Sequence, residues 1–376
     1  MNERNLLMIP GPIEFEPAVL RALGEKTRSH LDPVFMKAFA RSLKRLREVF
    51  AAPSAQPFVV AGSGTLAMEM AVANLVQPGD RALVVNTGYF SDRIATMLER
   101  HGAAVTHVRA EPGAVPSLDE VERALSGGGF KVMTVTHVDT STAVLAPVQA
   151  LAALGRKHDA LVVVDGVCSV GGEALEMDAW GVDVAFTASQ KALGVPPGLA
   201  VLLAGPRAMA AWKARTRPVA SMYLDFAEWL PVHEAYEAEK PAYFATPPVN
   251  LIMALDVSLG QLVEEGMAAR VQRHVKIAEV VGRAWKALGL EPLPKNEAHR
   301  AHTLSALYYP AGVDASLVKA IAQEGVVVAG GLHPALKTKY FRVGHMGAVT
   351  MNDVSATLGA IERALEAVTV ATSPGR

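Results

Sequence analysis

The sequence predicts an α/β protein with a mainly parallel central sheet flanked by helices and a smaller C-terminal α/β domain. Three observations carry that expectation. The chain has 376 residues, of which 51% are hydrophobic and only 19% charged, so it can fill a core large enough for two domains. From residue 57 to about 205, short β-rich runs alternate with helical stretches, the pattern of strand–helix–strand units. Residues 251–287 are then predominantly helical with a break near Gly266, and 290–368 mix strand and helix again.

In order, Phe58–Val60 reads as a strand followed by a helix over Leu66–Val76, and Ala82–Val85 leads to a helix over Asp92–Arg100. Ala104–Val108 precedes helical Ser117–Leu125, and Val132–Thr136 precedes helical Val148–Lys157. Leu161–Val164 and Val182–Phe186 are further β-like runs. In the C-terminal part, Leu304–Tyr308 and Gly325–Ala329 are strand-like, Leu317–Gln323 and Asn352–Ala367 helical, and the closing ATSPGR is a frayed tail. The expected division is an N-terminal segment over 1–15, a large domain over 16–264 and a small domain over 265–376. In a parallel sheet, ligands sit at the carboxyl ends of the strands, where Ala61-Gly62, Asn86-Thr87, Thr136-His137 and Asp165 fall.

Composition excludes several classes. A formal net charge of −1 gives no support to nucleic-acid binding or attraction to a membrane surface. The densest basic cluster, Arg41 to Arg47, has helical spacing and reads as a solvated helix face. Cys168 is the single cysteine, so there is no internal disulfide and no cysteine-rich metal site, and no metal is expected. MNERNLLMIPGP has no apolar segment of signal-peptide length, and no run reaches the ~18–20 residues of a membrane span, which makes a cytoplasmic protein the expectation.

The chemistry concentrates around two residues. The apolar run Leu161–Val164 ends on Asp165, and Lys191 follows it by twenty-six residues, after Thr187-Ala188-Ser189-Gln190 and before a loop containing Gly194, Pro196, Pro197 and Gly198. A Gly/Pro-rich loop after a short strand is a poor place for an ordinary solvated lysine. An acid and a lysine so presented suit pyridoxal 5′-phosphate. The amine forms a Schiff base with the cofactor aldehyde, and the acid keeps the pyridine nitrogen protonated so that the ring accepts electrons. Gly62-Ser63-Gly64-Thr65, between a strand and a helix, supplies what a phosphate needs: close backbone approach, hydroxyl donors and a helix N-terminus. Taken alone, that turn is more often a structural helix cap. It lacks the lysine of a P-loop and the spacing of a dinucleotide fingerprint, which disfavours nucleotide binding.

With these residues in view, the chain resembles the class V aminotransferases of pyridoxal-phosphate fold type I, in the alanine–glyoxylate and serine–pyruvate branch. The resemblance runs nearly end to end through LLMIPGP, AGSGTLAMEMAVANLVQPGD, NTGYFSDR, THVDTSTAVLAP, VVDGVCSVGG, SQKALGVPPG, MYLDFAEWL, YFATPPV, VAGGL and FRVGHMG. It implies that Lys191 is the Schiff-base lysine and proton shuttle, and that Asp165 pairs with the ring nitrogen. It further implies that Ser63, Gly64, Thr65 and Gln190 hold the phosphate, Phe90 stacks on the ring and Thr140 lies beside it. Tyr243 and Thr246 would reach the cofactor of a neighbouring subunit, giving a homodimer with shared active sites. Arg342 would grip the substrate carboxylate, with Gly11 of the Pro10-Gly11-Pro12 loop in the substrate site. Two positions depart from eukaryotic members, which often carry tryptophan where this chain has Phe90 and histidine where it has Thr65.

The implied activity is transfer of an amino group from a small amino acid, alanine or serine, to a 2-oxo acid, glyoxylate or pyruvate, by a ping-pong Schiff-base mechanism. The alternatives are an acidic or phosphonate donor within the same fold, or a non-catalytic subunit retaining it. Intact Lys191, Asp165 and Arg342 argue against the last. Cys168, three residues past the ring-binding acid, reads as a packing residue rather than the nucleophile of a desulfurase, and His30 and His137 read as structural.

Overall fold

The computed structural model describes the backbone of residues 5–372 and the side chains of residues 5–369. Seven strands build the central sheet: β1 (Gln56–Ala61), β2 (Arg81–Asn86), β3 (Ala104–Arg109), β4 (Phe130–Thr136), β5 (Leu161–Asp165), β6 (Val184–Ala188) and β7 (Leu199–Ala204). Their spatial order is β1-β7-β6-β5-β4-β2-β3. The strands from β6 across to β3 pair in parallel, and β7 alone runs antiparallel to both its neighbours.

Side-chain alternation explains why these strands read as unbroken apolar runs. On β5, Val162 and Val164 join the core on one face, while Leu161 and Val163 join the core on the other. Both faces are covered, so each position is apolar, and each fully buried valine or leucine contributes roughly 1.5–3 kcal/mol. The covering elements include α1 (Pro33–Val49), α2 (Gly64–Leu75), α3 (Tyr89–Arg100), α4 (Leu118–Leu125) and α5 (Val148–Lys157). The strand-like run at 182–186 enters the sheet two residues late. Val182 is spent in a turn, its N–H donating to the Met177 carbonyl, and the Asp183 carboxylate accepts from the Val162 N–H. Arg41 to Arg47 is not a solvated face. Arg41 and Arg45 pair with Asp256, and Arg47 pairs with Glu237, binding α1 to its helical neighbours.

After α6 (Val249–Glu265) the chain breaks at Gly266, whose φ of 78° favours glycine, and resumes as α7 (Met267–Ala287). A second, antiparallel sheet follows, made of β8 (Leu304–Tyr308), β9 (Ala329–Gly330) and β10 (Tyr340–Gly344) in the order β8-β10-β9, and the long α8 (Met351–Thr372) closes the chain. Residues 325–329, one strand by sequence, split between two sheets. Val326–Val327 pairs in parallel with Leu6–Leu7, while Ala329 starts β9. Of the expected frayed tail, Ala371 and Thr372 end α8, and Ser373 to Arg376 lie outside the described residues.

The N-terminal segment lies across the end of β10, where the Gly344 N–H donates to the Met8 carbonyl at 2.7 Å. A Cβ on Gly344 would stand 2.1 Å from the Ile9 carbonyl oxygen, a backbone atom that cannot swing away. Gly344→Ala is therefore expected to lower the urea midpoint by an amount corresponding to a few kcal/mol. An unchanged midpoint would show that the segment is not held against this strand.

Candidate active site

The strands β1, β2, β4 and β5 end at Ala61, Asn86, Thr136 and Asp165, and hydrogen bonds lace this edge together. The His137 N–H donates to the Asp165 carbonyl at 3.0 Å, the Ser91 hydroxyl to Thr136 Oγ1 at 3.0 Å, and the Thr142 hydroxyl to the Thr87 carbonyl at 3.0 Å. Asp165 is 3% exposed, and its Oδ1 accepts from the Val167 N–H at 2.9 Å. Among the described residues no lysine or arginine forms an ion pair with it. Burial therefore dominates and pushes its carboxyl up to about 7, with Asp139 adding to the push while Lys191 and Arg93 draw it down.

Lys191 lies in the turn beyond β6, 8% exposed, with Nζ donating to the Pro10 carbonyl. Gly11 is what admits it there. A Cβ at that residue would stand 2.6 Å from Lys191 Cδ and 2.9 Å from Nζ. Ser63 caps α2, its hydroxyl accepting from the Leu66 N–H at 3.4 Å. Gly64 packs that helix start onto the acid's loop and the end of β6, since a Cβ would be 2.9 Å from Val167 Cγ2 and 3.1 Å from Ala188 Cβ. The Ser63-Gly64-Thr65 turn, the acid's loop and the end of the strand before Lys191, far apart in sequence, are thus neighbours. Gln190 contributes a buried Oε1 without a hydrogen-bond partner among the described residues.

On the opposite side, Arg342 sits on β10, its Nε donating to the Gly330 carbonyl at 2.9 Å and Nη1 to the Thr140 carbonyl at 3.1 Å. Burial lowers its pKa, and among the described residues no carboxylate pairs with it. Thr140 is buried, and so is Cys168, whose thiol burial pushes up, as befits a packing residue. His137 is also buried, and desolvation lowers its pKa to about 4, so it stays neutral. Tyr243 and Thr246 are not drawn into this group by a hydrogen bond. They lie at the surface and bond each other at 3.4 Å, with Tyr243 65% exposed and its ring 5.6 Å from that of His30.

Sequence reasoning assigned no role to three residues that shape the site. Asp139, fully buried, accepts from the Phe90 N–H at 3.1 Å and from the Ser141 N–H at 2.9 Å, pinning the start of α3 that carries Phe90. Burial raises its carboxyl. Tyr340 donates to the Ser141 carbonyl and accepts from the Leu332 and His333 N–H groups, fastening the segment before β10 to the same turn. Arg93 bonds Thr65 Oγ1 at 3.1 Å. Arg93 follows Phe90 by three residues on a helix, a spacing visible in the sequence; the contacts of Asp139 and Tyr340 are long-range and leave no local pattern.

The residues fit pyridoxal phosphate. Among the described residues they offer a buried acid without a paired cation, a buried primary amine, a helix N-terminus with two hydroxyls, and an amide oxygen without a hydrogen-bond partner. Comparisons with known proteins agree. The profile described as aminotransferase class-V matches residues 19–356. Alanine–glyoxylate aminotransferase 1 of Saccharomyces cerevisiae is 40% identical over 92% of this chain and 93% of its own. The L-aspartate–glyoxylate aminotransferase of Paracoccus denitrificans is 34% identical over 93% and 88%. A crystal structure of an alanine–glyoxylate aminotransferase from Nostoc sp. superimposes with a TM-score of 0.91 at 34% identity, covering 97% of this chain and 96% of that one. No helix among the described residues is long and apolar enough to cross a membrane.

The unpaired acid makes a prediction for the cofactor-free protein. With its carboxyl raised from 3.8 to about 7, the folded chain holds a proton that the unfolded chain has already lost. Stability therefore falls as pH rises from about 4 toward 7, and the full penalty stands above that range. Asp165→Asn keeps the shape without the charge. It is expected to stabilise the apoprotein at pH 8 by on the order of 2–4 kcal/mol in urea unfolding, a gain that disappears near pH 4. A variant no more stable than the parent at pH 8 would mean that the acid is already compensated.

Proposed function

The chain belongs to the class V aminotransferases, which depend on pyridoxal phosphate, and from that premise we propose that it moves an amino group from alanine or serine to glyoxylate or pyruvate. The observation that carries this reading is Arg342, a half-buried cation bonded to two carbonyl oxygens and to no carboxylate among the described residues. Its planar fork suits the carboxylate that every amino and oxo acid carries. A small neutral donor is supported by the alanine named in two of the three relatives, the third naming aspartate. Glyoxylate as acceptor is supported by the names of all three.

Bound pyridoxal phosphate supplies an aldehyde that takes up the amino group and a ring that stabilises negative charge at the substrate α-carbon. The remaining work belongs to the chain. Lys191 Nζ would hold the cofactor through its aldehyde and, as a free amine, would serve as the base for the α-proton. Asp165 would pair with the protonated ring nitrogen, a cation that would draw the carboxyl back down from its raised value. Ser63, Gly64, Thr65 and Gln190 would hold the phosphate at the first turn of α2. Phe90, anchored through Asp139, would cover the ring, and Thr140 would line its edge. Arg342 orients the substrate, and Gly11 leaves room for both lysine and substrate. Tyr243 and Thr246, exposed in the single chain, would complete the phosphate site of a second copy, so that the working form would be a homodimer with shared sites. The chain divides functionally into a segment over 1–15, a cofactor-holding part over 16–264 and a part over 265–376 that carries Arg342.

Two measurements check this reading. Alanine or serine should bleach the visible band of the holoenzyme and glyoxylate or pyruvate should restore it, with aspartate at least tenfold less effective. A preference for aspartate would replace the proposed donor. Arg342→Gln should raise KM for both amino donor and oxo-acid acceptor by roughly 10–100-fold while leaving the band intact, the size expected from losing a charge-assisted pair of bonds. Unchanged KM values would remove Arg342 from substrate binding.

A further inference from the structure

Arg93 lies on α3, three residues after Phe90 and four after Tyr89, so the three side chains share one helix face. Its guanidinium carbon is 4.9 Å from the Phe90 ring centroid and 5.1 Å from that of Tyr89. Nη2 donates to the Tyr89 hydroxyl at 3.2 Å, and Nη1 donates to Thr65 Oγ1 at 3.1 Å. All of these partners are neutral. Several other arginines meet acids, as Arg109 meets Asp92 and Arg207 meets Asp183, but among the described residues no carboxylate pairs with Arg93. The molecule therefore keeps an uncompensated, half-buried cation against the first turn of α2.

That turn has a charge deficit. Ser63-Gly64-Thr65 contains no lysine or arginine. The N-terminus of α2 offers roughly half a positive charge, whereas a phosphate monoester carries about −1.5 to −2 at neutral pH. Thr65 adds a second argument. Because its oxygen accepts from Arg93, its own O–H proton is directed away from that bond and is free to donate to an anion in front of the loop. Thr65 is exposed on the open side of the cradle.

We propose that Arg93 is a positioning residue for the cofactor phosphate: it fixes the Thr65 hydroxyl as a donor and supplies the positive charge that the glycine-serine loop lacks. This rests on the reading of the site as one for pyridoxal phosphate. It also accounts for how a chain with threonine at this position manages the phosphate, since the charge comes from the neighbouring helix rather than from the loop itself.

The test separates the phosphate end from the ring end. Apoenzyme is titrated with pyridoxal phosphate and, separately, with pyridoxal, which lacks the phosphate, following the visible band formed with Lys191. Arg93→Gln is expected to weaken pyridoxal phosphate about tenfold or more while leaving pyridoxal within about twofold, and Arg93→Lys to fall between, since a point charge replaces the fork. Unchanged pyridoxal binding also certifies that the variant is folded. Phe90→Leu, a ring contact, should weaken both ligands alike. Thr65→Val should weaken pyridoxal phosphate, and the Arg93→Gln, Thr65→Val pair should lose less than the product of the single losses, because one residue acts through the other. Equal weakening of both ligands by Arg93→Gln would reduce Arg93 to a prop for α3 and overturn the proposal, as would undiminished affinity for pyridoxal phosphate in either Arg93 variant. A parent protein that forms no band at all would fail earlier and for a different reason, removing the cofactor assignment itself.

Discussion

A carboxylate at the end of a strand buried on both faces is the constraint around which this molecule is arranged. β5 is apolar at every position before Asp165, and among the described residues the acid's surroundings supply one backbone N–H and no paired cation. Such a group is costly by itself, and its carboxyl is accordingly raised to about 7. A ligand that presents a cationic N–H converts the liability into binding energy. The site is therefore incomplete as a piece of protein, and on the proposed reading a protonated heterocycle would complete it.

Close packing determines which residues can share that receptor. Three glycines act where a side chain would collide. Gly11 lets the N-terminal loop rest on Lys191, Gly64 lets α2 reach the acid's loop, and a Cβ on Gly88 would stand 2.7 Å from the Asp139 carboxyl carbon. Arg270 reinforces the arrangement from behind. Nearly buried, it donates to the carbonyl of Gly171 at 2.7 Å and to that of Ala192 at 2.9 Å, and it pairs with Glu265 at the break between α6 and α7. The loops after Asp165 and Lys191 are thus tied to one guanidinium, and the part of the chain that carries Arg342 is hinged on the same residue's helix.

Much of this was legible in the sequence, for physical reasons. Strands covered on both faces announce themselves as unbroken apolar runs and amphipathic helices by a 3.6-residue period, so β5 and α5 fall where the pattern puts them. Asp165 stood out because it ends an apolar run with a charge, and Lys191 because it opens a Gly/Pro-rich loop just after a short strand. What escaped detection depends on distant partners. β7 was not singled out, since nothing local distinguishes an antiparallel strand inserted between parallel ones. The Arg41 to Arg47 cluster looked solvated because Asp256 and Glu237 lie roughly two hundred residues away. Asp139 and Tyr340 bind main-chain groups, and such contacts leave no mark on composition. Tyr243 and Thr246 lie exposed in the single chain and bond only each other among the side chains of the site, so no local packing explains them.

The most direct test of the central claim is to incubate the apoprotein with pyridoxal phosphate, reduce it with borohydride and map the modified peptide by mass spectrometry. The account predicts one stoichiometric phosphopyridoxyl group on Lys191, in the peptide containing Ser189-Gln190-Lys191. Label spread over surface lysines, or fixed on another single lysine, would contradict it.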